Sequence, residues 1–383
     1  MSGFSADDYR YMARAMRLAE RGLYSTRPNP AVGAVVVKDG QIVGEGYHVR
    51  AGEPHAERIA LQQAGEAAKG STVYVTLEPC SHQGRTPPCA HALIQAQVAR
   101  VVVAMIDPNP EVSGQGVMLL RSYGIEVEIG LMTEAAMALN RGFIKAMTEG
   151  LPCVRLKTAT GLDGATATAG GESQWITDEA ARQRGHLLRA RHGAIMTGIG
   201  TVLADDPSLN VRLPEHLQER YHLDEALCHP IRVVLDSQLR FPQTAKMLNL
   251  PGQTLIATTD AARAKEKINA AVLHAMGVEF ILVDEVSPGR LDLQAILRHL
   301  AREWQVRDLL VEAGPTLSGA MLEEDRVDEL HWFRAAKLLG GDARPACALP
   351  PIDAIEKVRR WTPVDCRQVG SDLYEIYRHP EVR

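Results

Sequence analysis

Short apolar strands alternate with amphipathic helices along the chain, and the alternation starts afresh after Gly150-Leu151-Pro152. Before this point, apolar runs such as TVYV and RVVV alternate with helical segments such as AERIALQQA. After it, the alternation resumes with CVRLKTA and continues to IRVVLDS and DLLVEAG. This order is typical of layered α/β folds, and a glycine followed closely by a proline ends a helix. The sequence therefore predicts two α/β domains, residues 1–150 and residues 151–383.

Local signals predict where some elements of the first domain begin and end. Ser5 can cap a helix over residues 6–20, and Asp39-Gly40 is a strong turn signal between two Val-rich strands. The apolar patterns predict one buried strand over residues 72–79 and one helix over residues 133–149.

The composition excludes several classes of function. The 383 residues are 45% hydrophobic and 23% charged, with a net charge of -5 and no basic block. A nucleic-acid partner is not expected, because it would need a phosphate-facing surface of Lys and Arg; a small anionic substrate held by a few cations is compatible. No apolar run is long enough to cross a bilayer, and the start lacks the apolar core of a signal peptide. We therefore expect a cytoplasmic protein without a membrane partner.

Four residues between positions 55 and 89 form a pattern suited to a catalytic metal. His55 and Glu57 stand at a predicted helix start, Cys80 follows a strand, and Cys89 begins the next helix. An imidazole and two thiolates are suitable zinc ligands, and three protein ligands with one open position are typical of catalytic zinc. Zinc lowers the pKa of a bound water, and an uncoordinated glutamate can carry the proton to a leaving amine. The order H-x-E, then P-C and a second cysteine, is typical of nucleobase deaminases, with zinc as cofactor and Glu57 as catalytic residue.

The spacing departs from that signature, because eight residues instead of two separate the two cysteines. The longer loop brings His82 and Arg85 near the site, where they could contact a substrate phosphate or ribose. A structural zinc site with His82 or His91 as fourth ligand is the main alternative. Asn29, between two prolines, predicts either a simple turn or a substrate contact opposite the metal.

The second domain carries one segment suited to phosphate. No G-x-G-x-x-G motif follows a strand, and Gly198-Ile199-Gly200 is an incomplete match. The segment LLVEAGPTLSGAMLEE predicts a strand, a turn and a helix, so residues 314–320 would offer free backbone N–H groups at the helix start. Thr316 and Ser318 add hydroxyl donors. An ordinary strand–turn–helix joint without a ligand is the alternative.

Longer motifs carry a resemblance that covers nearly the whole chain. In the first domain these are RPNPAVGAVVV, GEGYH, AGEPHAE, YVTLEPCSHQGRTPPC and DPNP. In the second they are GLDG, GESQWIT, TVLADDPSLNVR, VEAGPTLSGAML and KLLGG. In this order, the motifs resemble those of the RibD family of bifunctional riboflavin biosynthesis proteins.

The resemblance implies a fold and an activity for each domain. The first would be a cytidine-deaminase-like α/β/α sandwich that uses zinc to hydrolyse the 2-amino group of 2,5-diamino-6-(5-phosphoribosylamino)pyrimidin-4(3H)-one, releasing ammonia. The second would have a dihydrofolate-reductase-like α/β fold. It would use NADPH to reduce the ribosyl group of 5-amino-6-(5-phosphoribosylamino)uracil to ribityl. We expect a homo-oligomer that acts on a small phosphorylated pyrimidine.

The resemblance also assigns roles to residues. It matches His55, Cys80 and Cys89 to the family's zinc ligands and Glu57 to its proton shuttle. The positions that match NADPH contacts are Ala159, Trp175, Thr201, Asp205, Ser237, Gly314, Pro315, Thr316, Leu317, Ser318, Gly319 and Ala320. The positions that match substrate contacts in the second domain are Ser173, Arg189, Leu209, Arg212 and Glu312.

Elementary chemistry supports some of these roles. Arg189 and Arg212 can pair with a sugar phosphate through fixed donor forks, although such arginines are commonly solvated or paired with acids. Lys157, on the first strand of the second domain, is a catalytic candidate that would contact the ribose carbonyl or hydroxyls during reduction. A strand lysine, however, more often points to solvent.

Two other functions remain open. One is a deaminase of free bases, nucleosides or tRNA, against which the attached second domain and the long loop between the cysteines argue. The other is a non-catalytic module that keeps a structural zinc and senses NADP. Glu57 argues against this module, because a structural site has no use for an uncoordinated acid.

Overall fold

The computed structural model describes residues 3–81, 88–110, 112–223 and 229–381. The chain separates into two units after Gly150, and residues 219–223 group with the first unit. Of the residues singled out in the sequence, His82 and Arg85 lie outside the described ranges.

The first unit is built on a five-stranded sheet. Its strands are β1 (Gly33–Lys38), β2 (Gln41–Tyr47), β3 (Thr72–Val75), β4 (Arg100–Val103) and β5 (Glu126–Ile129). Its helices are α1 (Ala6–Arg21), α2 (Ala56–Ala64), α3 (Cys89–Gln95), α4 (Gln115–Ser122), α5 (Thr133–Leu139) and α6 (Arg141–Glu149). The strand order is β2-β1-β3-β4-β5, with β1 antiparallel to both neighbours and β3, β4 and β5 parallel. The carboxyl ends of these three parallel strands therefore meet at one edge of the sheet.

Two local predictions in this unit are confirmed. The Ser5 Oγ accepts a hydrogen bond from the Asp8 N–H at 3.1 Å, and the Asp8 Oδ2 accepts one from the Ser5 N–H at 2.8 Å. This reciprocal pair caps α1. Asp39 and Gly40 have φ of 50° and 75°, the left-handed conformation that two-residue hairpin turns require and that Asp and Gly tolerate.

Two glycines let helices lie directly on the β1–β2 hairpin. A Cβ on Gly33 would stand 2.1 Å from the Ala15 carbonyl oxygen, and a Cβ on Gly44 would stand 2.1 Å from the Ala60 carbonyl oxygen. Only glycine permits this approach, so α1 and α2 pack backbone to backbone against the hairpin. The start of α2, which carries Glu57, is thereby fixed on the sheet.

Two predicted elements in this unit differ from the structure. The strand predicted over residues 72–79 ends at Val75. The single helix predicted over residues 133–149 is wrong, because α5 and α6 are separate helices with Asn140 between them. The Asn140 amide accepts from the Ala31 N–H at 2.8 Å and donates to the Ala31 carbonyl at 2.9 Å. Asn140 leaves the helical conformation at φ -117° and ψ 26°, where its amide reaches both groups.

The described part of the chain after Gly150 contains a nine-stranded sheet and two two-stranded sheets. Its strands are β6 (Cys153–Thr160), β7 (Ala165–Ala167), β8 (Ala194–Gly198), β9 (Ile231–Leu235), β10 (Thr254–Thr258), β11 (Glu279–Leu282), β12 (Glu285–Ser287), β13 (Arg290–Leu291), β14 (Asp308–Val311), β15 (Glu329–Arg334), β16 (Arg344–Pro345), β17 (Thr362–Val369) and β18 (Asp372–Arg378). Its helices are α7 (Glu179–Arg191), α8 (Ile199–Asp205), α9 (Glu215–Arg220), α10 (Asp260–Lys265), α11 (Lys267–Ala275), α12 (Leu293–Arg302) and α13 (Pro315–Glu323).

Nine of these strands form one sheet in the order β11-β10-β9-β8-β14-β6-β15-β18-β17. The strands from β11 to β15 in that order are parallel, and β18 is antiparallel to both of its neighbours. Met196 and Val233 face one buried core, whereas Ile195 and Val234 face another. Burial on both faces explains why the central strands are apolar almost throughout.

Candidate active sites

The three predicted metal ligands come together beside the start of α2. His55 is the N-cap residue of α2, Cys80 follows β3, and Cys89 is the first residue of α3. The His55 Nδ1 lies 3.6 Å from the Cys80 Sγ and 3.4 Å from the Cys89 Sγ, and all three ligand atoms lie within 4.8 Å of one another. Side chains that are 25 and 34 positions apart in sequence therefore converge on one point.

This geometry fits a tetrahedral zinc ion. Zn–S distances of about 2.3 Å and Zn–N distances of about 2.0–2.1 Å place neighbouring ligand atoms roughly 3.5 Å apart. The Cys89 side chain and, at 3.3 Å, the Cys89 N–H donate to the Cys80 Sγ. These bonds and the neighbouring His55 lower the pKa of Cys80 to about 4. The thiolate that zinc requires is thus stabilised by the chain itself.

Glu57 lies beside the three predicted ligands and is not a member of that group. Its side chain is buried, and its Oε2 has no hydrogen-bond partner among the described residues. Burial, and next the negative charge on Cys80, raise the pKa of Glu57 to about 7. A carboxyl group with a pKa near neutrality can both accept and deliver a proton.

A fourth protein ligand is not seen in the described part of the chain. His91 is exposed and stands outside the cluster of metal-ligating groups, which contains three residues. His82, the other candidate for a closed structural site, lies outside the described residues. Three ligands with one open position are the arrangement expected of catalytic zinc.

Asn29 makes a turn and also contacts a histidine that the sequence analysis did not single out. Its N–H donates to the Thr26 carbonyl at 2.9 Å, and its Nδ2 lies 3.0 Å from the His48 Nε2. The His48 Nδ1 lies 3.2 Å from the Pro54 carbonyl, which can only accept, so Nδ1 carries the proton and Nε2 accepts from Asn29. The rings of His48 and His55 are 5.1 Å apart. His48 therefore orients the Asn29 amide close to the metal ligands.

A second cluster lies at the carboxyl ends of β6 and β14. Glu312 directly follows β14, and it pairs with Arg189 of α7 through two hydrogen bonds of 2.7 and 2.8 Å. The Lys157 Nζ lies 3.7 Å from the Glu312 Oε2. Burial alone would raise the pKa of Glu312, but Arg189 and Lys157 outweigh it and hold that pKa at about 2. Lys157 thus points to an acid in this cluster and not simply to solvent.

The two arginines predicted to bind phosphate differ in their surroundings. Arg189 is neutralised by Glu312, and its Nη1 also donates to the Asn210 carbonyl at 3.2 Å. Arg212 is exposed, and its Nη1 donates to the Asn210 Oδ1. No carboxylate pairs with Arg212 among the described residues. Arg212 is therefore the better candidate for an incoming phosphate.

His186 is a further residue that sequence reasoning missed. It lies on α7 one turn before Arg189, and its Nδ1 accepts from the Arg212 N–H at 3.3 Å. Burial, then the charges of Arg189 and Arg212, lower its pKa to about 4. No motif marks this histidine, because its contact with Arg212 spans 26 positions of the chain.

Four of the residues expected to bind NADPH lie at the carboxyl ends of four adjacent parallel strands. Ala159 lies near the end of β6, Thr201 follows β8, Ser237 follows β9 and Gly314 follows β14. These strands are neighbours in the sheet order β9-β8-β14-β6. Ligands of open α/β sheets bind outside the carboxyl ends of the strands, so the four positions share the edge at which a cofactor would lie.

The helix α13 starts as the sequence predicted, but only part of its first turns is accessible. Gly314 is the N-cap, Pro315 follows, and Thr316 is exposed. The Ser318 hydroxyl donates to the Ala313 carbonyl at 3.2 Å. A Cβ on Gly319 would stand 2.1 Å from the Ala348 carbonyl oxygen, so this glycine packs against backbone. The first residues of the 314–320 segment are therefore the better cofactor candidates.

The remaining candidates occupy loops and element ends. Asp205 is exposed at the end of α8, and Leu209 is buried with φ 46°. Trp175 is exposed, and the Arg182 guanidinium stacks 4.5 Å from its ring centre. Ser173 is half-buried in the same loop as Trp175. The burial and contacts of these four residues do not by themselves indicate which ligand they would bind.

Two family descriptions match the two parts of the chain. Residues 5–105 match the cytidine and deoxycytidylate deaminase zinc-binding region, and residues 152–374 match the RibD C-terminal domain. Each match contains one of the clusters described above.

Full-length relatives also match. The riboflavin biosynthesis protein RibD of Escherichia coli (strain K12) is 50% identical over 372 residues, 96% of this chain and 98% of that protein. The riboflavin biosynthesis protein RibD of Haemophilus influenzae is 44% identical over 380 residues, 98% of this chain and 99% of that protein. The structure of Acinetobacter baumannii RibD, form 1, is 46% identical and has a TM-score of 0.88, covering 97% of this chain and 98% of that one.

Fold and site therefore define a two-part α/β protein, with a cytidine-deaminase-like zinc-binding unit followed by a dihydrofolate-reductase-like unit. The chain belongs to the RibD family. The fold class and the family expected from the sequence are confirmed. Within the described ranges, no helix is long and apolar enough to traverse a bilayer.

Proposed function

We propose that this chain catalyses two successive steps of riboflavin biosynthesis, with one active site in each unit. The first is zinc-dependent deamination of 2,5-diamino-6-(5-phosphoribosylamino)pyrimidin-4(3H)-one. The second is reduction by NADPH of the ribosyl group of 5-amino-6-(5-phosphoribosylamino)uracil to ribityl. The observation that carries the proposal is the buried Glu57 carboxyl beside three convergent zinc ligands, in a full-length member of the RibD family.

In the first unit, His55, Cys80 and Cys89 would hold the zinc ion. When bound, zinc would act as a Lewis acid that lowers the pKa of a water molecule and so favours hydroxide, the nucleophile that the ring requires. Glu57 would accept a proton from that water and deliver it to the leaving amine, a role that matches its pKa of about 7. Asn29 would bind the pyrimidine through the amide that His48 orients.

In the second unit, NADPH would lie along the carboxyl ends of β9, β8, β14 and β6, with its phosphates near the start of α13. Arg212 would bind the substrate phosphate through its exposed guanidinium. Lys157, held by Glu312 at 3.7 Å, would contact the ribose carbonyl or hydroxyls as the hydride arrives.

The proposal includes two further expectations, one about the location of the protein and one about its oligomeric state. A cytoplasmic location is supported by the composition and by the need for NADPH. A homo-oligomeric state is expected, and sedimentation of the purified chain tests it.

Mass spectrometry of the product tests the proposed function. The purified protein is loaded with zinc and given the diaminopyrimidine substrate, first alone and then with NADPH. We expect release of ammonia in the first reaction and a ribityl product in the second. Ammonia release from cytidine or guanine, and none from the diaminopyrimidine, would contradict the assigned substrate.

A further inference from the structure

Glu78 is a buried carboxylate that the proposed chemistry does not use. It lies two residues before Cys80 and is 3% exposed. Its Oε2 accepts from the Asp107 N–H at 3.2 Å and the Gly114 N–H at 2.9 Å, and its Oε1 accepts from the Val117 N–H at 3.1 Å. All three donors belong to the stretch that leads from β4 into the first turn of α4.

These hydrogen bonds hold both ends of a segment of which the structure describes residues 107–110 and 112–114. Gly114 is the N-cap residue of α4 and has no side chain that could accept from the first turn. The Glu78 carboxylate supplies that acceptor from another element, and a negative charge is favoured at a helix N-terminus. One side chain therefore fixes where the segment starts, where it ends and how α4 begins.

Further contacts hold the segment against the turn 78–80, which carries the predicted metal ligand Cys80. The Glu78 N–H donates to the Met105 carbonyl at 3.0 Å. A Cβ on Gly116 would stand 1.9 Å from the Pro79 carbonyl oxygen, so α4 begins in direct contact with the turn. The turn and the segment follow the adjacent parallel strands β3 and β4. They share the carboxyl edge of the sheet, where ligands of open α/β sheets bind.

We propose that Glu78 is a positioning residue of the deaminase site. Its carboxylate holds residues 107–110 and 112–114 against the turn 78–80, so that these residues form a fixed wall beside the predicted metal ligands and limit how the pyrimidine can lie. The inference rests on the proposed function, because it takes the site around His55, Cys80 and Cys89 to be the place of deamination.

Glutamine cannot replace Glu78 in this role. Each carboxylate oxygen accepts at least one backbone N–H. The amide nitrogen of a glutamine would face an N–H donor in either orientation, and donors cannot pair with each other. Aspartate keeps both acceptors but is one methylene shorter, so it can retain only part of the contacts.

The test compares Glu78→Gln, Glu78→Asp and the matched surface control Glu66→Gln. Exchange of the backbone amides of 107, 114 and 117 is measured by hydrogen–deuterium exchange, together with zinc content and steady-state kinetics of both activities. For Glu78→Gln we expect amide exchange at least about tenfold faster and a KM for the diaminopyrimidine raised at least about tenfold, as for a lost buried charged hydrogen bond. Zinc content, reductase activity and most of kcat should be retained.

The aspartate variant should fall between wild type and Glu78→Gln, and Glu66→Gln should match wild type. Faster amide exchange with an unchanged KM would overturn the inference. A loss of zinc that is proportional to the loss of deamination in both Glu78 variants would also overturn it. If Glu78→Gln does not fold, the same measurements of amide exchange, zinc content and kinetics on Glu78→Asp test the inference. Wild-type protein that releases no ammonia from the diaminopyrimidine would instead overturn the proposed function.

Discussion

Cys80 and Cys89 differ from the other described cysteines in their neighbours. The Cys89 N–H donates to the Cys80 Sγ, and the His55 ring lies within 3.6 Å of both sulfurs. Cys153, by contrast, is buried in a strand where burial raises its pKa. Cys366 is exposed at the edge strand β17. Without a metal, a thiolate at neutral pH is therefore expected at Cys80, whose pKa the neighbouring Cys89 and His55 lower, and not at Cys153.

The first prediction concerns the metal. Purified protein should contain about one zinc per chain, and Cys80→Ser should lose most of it, because serine is a poor zinc ligand. Metal analysis after dialysis measures the content, and Cys366→Ser is the matched control. Full retention of zinc in the double variant Cys80→Ser, Cys89→Ser would exclude this ligand set.

The second prediction separates the two arginines of the reductase cluster. Arg212→Ala should weaken binding of the phosphorylated substrate by about 1.5–3 kcal/mol, the range for a hydrogen bond to a charged group, and should leave NADPH affinity nearly unchanged. Isothermal titration with each ligand measures both effects, with the exposed Arg302→Ala as control. Equal losses for both ligands would show that Arg212 supports the fold and does not select the substrate.

The joint between α5 and α6 is held by one side chain. Asn140 is the partner of both main-chain groups of Ala31, which lies 109 positions earlier in the chain. Asn140→Ala leaves these buried groups unpaired, so the free energy of unfolding of the first unit should fall by about 2–4 kcal/mol. Thermal loss of deaminase activity reports this unit, and Glu134→Ala on the exposed face of α5 is the control. A change in the melting of the second unit alone would contradict the assignment.

The strands β6, β14 and β15 are joined by a buried ionic cluster. Arg155 pairs with Asp308 at 2.5 Å and with Glu329 at 2.8 Å. The His331 Nδ1 lies 2.5 Å from the Tyr374 hydroxyl. Burial, opposed by the nearby Glu329 but reinforced by the Arg155 charge, lowers the pKa of His331 to about 4. The folded second unit therefore resists protonation of this histidine.

This lowered pKa predicts loss of stability in mild acid. Below pH 6.5 the unfolded chain binds a proton at His331, whereas the folded chain does not until about pH 4. The free energy of unfolding should therefore fall as the pH drops through this window, by about 2 kcal/mol at pH 5 from this group. Urea unfolding at pH 7 and pH 5 measures it. His331→Gln should show a smaller difference between the two pH values than either wild type or the exposed control His274→Gln.

Elements set by neighbouring residues were predictable from the sequence. The Ser5 cap and the Asp39-Gly40 turn depend on contacts within a few positions. The grouping of His55, Cys80 and Cys89 was expected from their chemistry as zinc ligands and from their order in the chain. The helix break at Asn140 was not predictable, because its cause is Ala31 on a distant segment. The pairing of Arg189 with Glu312 spans 123 positions and was missed for the same reason.

The distribution of tryptophan gives each unit its own probe. All four tryptophans of the chain lie after Gly150, so their fluorescence reports unfolding of the second unit. Zinc content and ammonia release report the first. When a variant changes one unit, the probe of the other unit can thus show whether that other unit is still folded in the same molecule.

The last prediction is that the two activities use separate sites. The predicted metal ligands and Glu57 lie before Gly150, and Lys157, Arg189 and Glu312 lie after it, each cluster within its own unit. Deamination needs a proton shuttle, whereas hydride transfer takes its chemistry from the cofactor. Glu57→Ala should therefore lower the deamination rate at least about 100-fold and leave reduction of supplied deaminated substrate nearly intact.

The reverse variant completes the test. Lys157→Ala with Glu312→Ala should impair reduction and leave ammonia release unchanged, and a mixture of the two variants should form the ribityl product, because the intermediate can diffuse between molecules. Zinc should remain bound in Glu57→Ala, since Glu57 is not a ligand. If Glu57→Ala stops reduction of the supplied intermediate while tryptophan fluorescence shows a folded second unit, the two sites are shared or coupled and this interpretation is wrong.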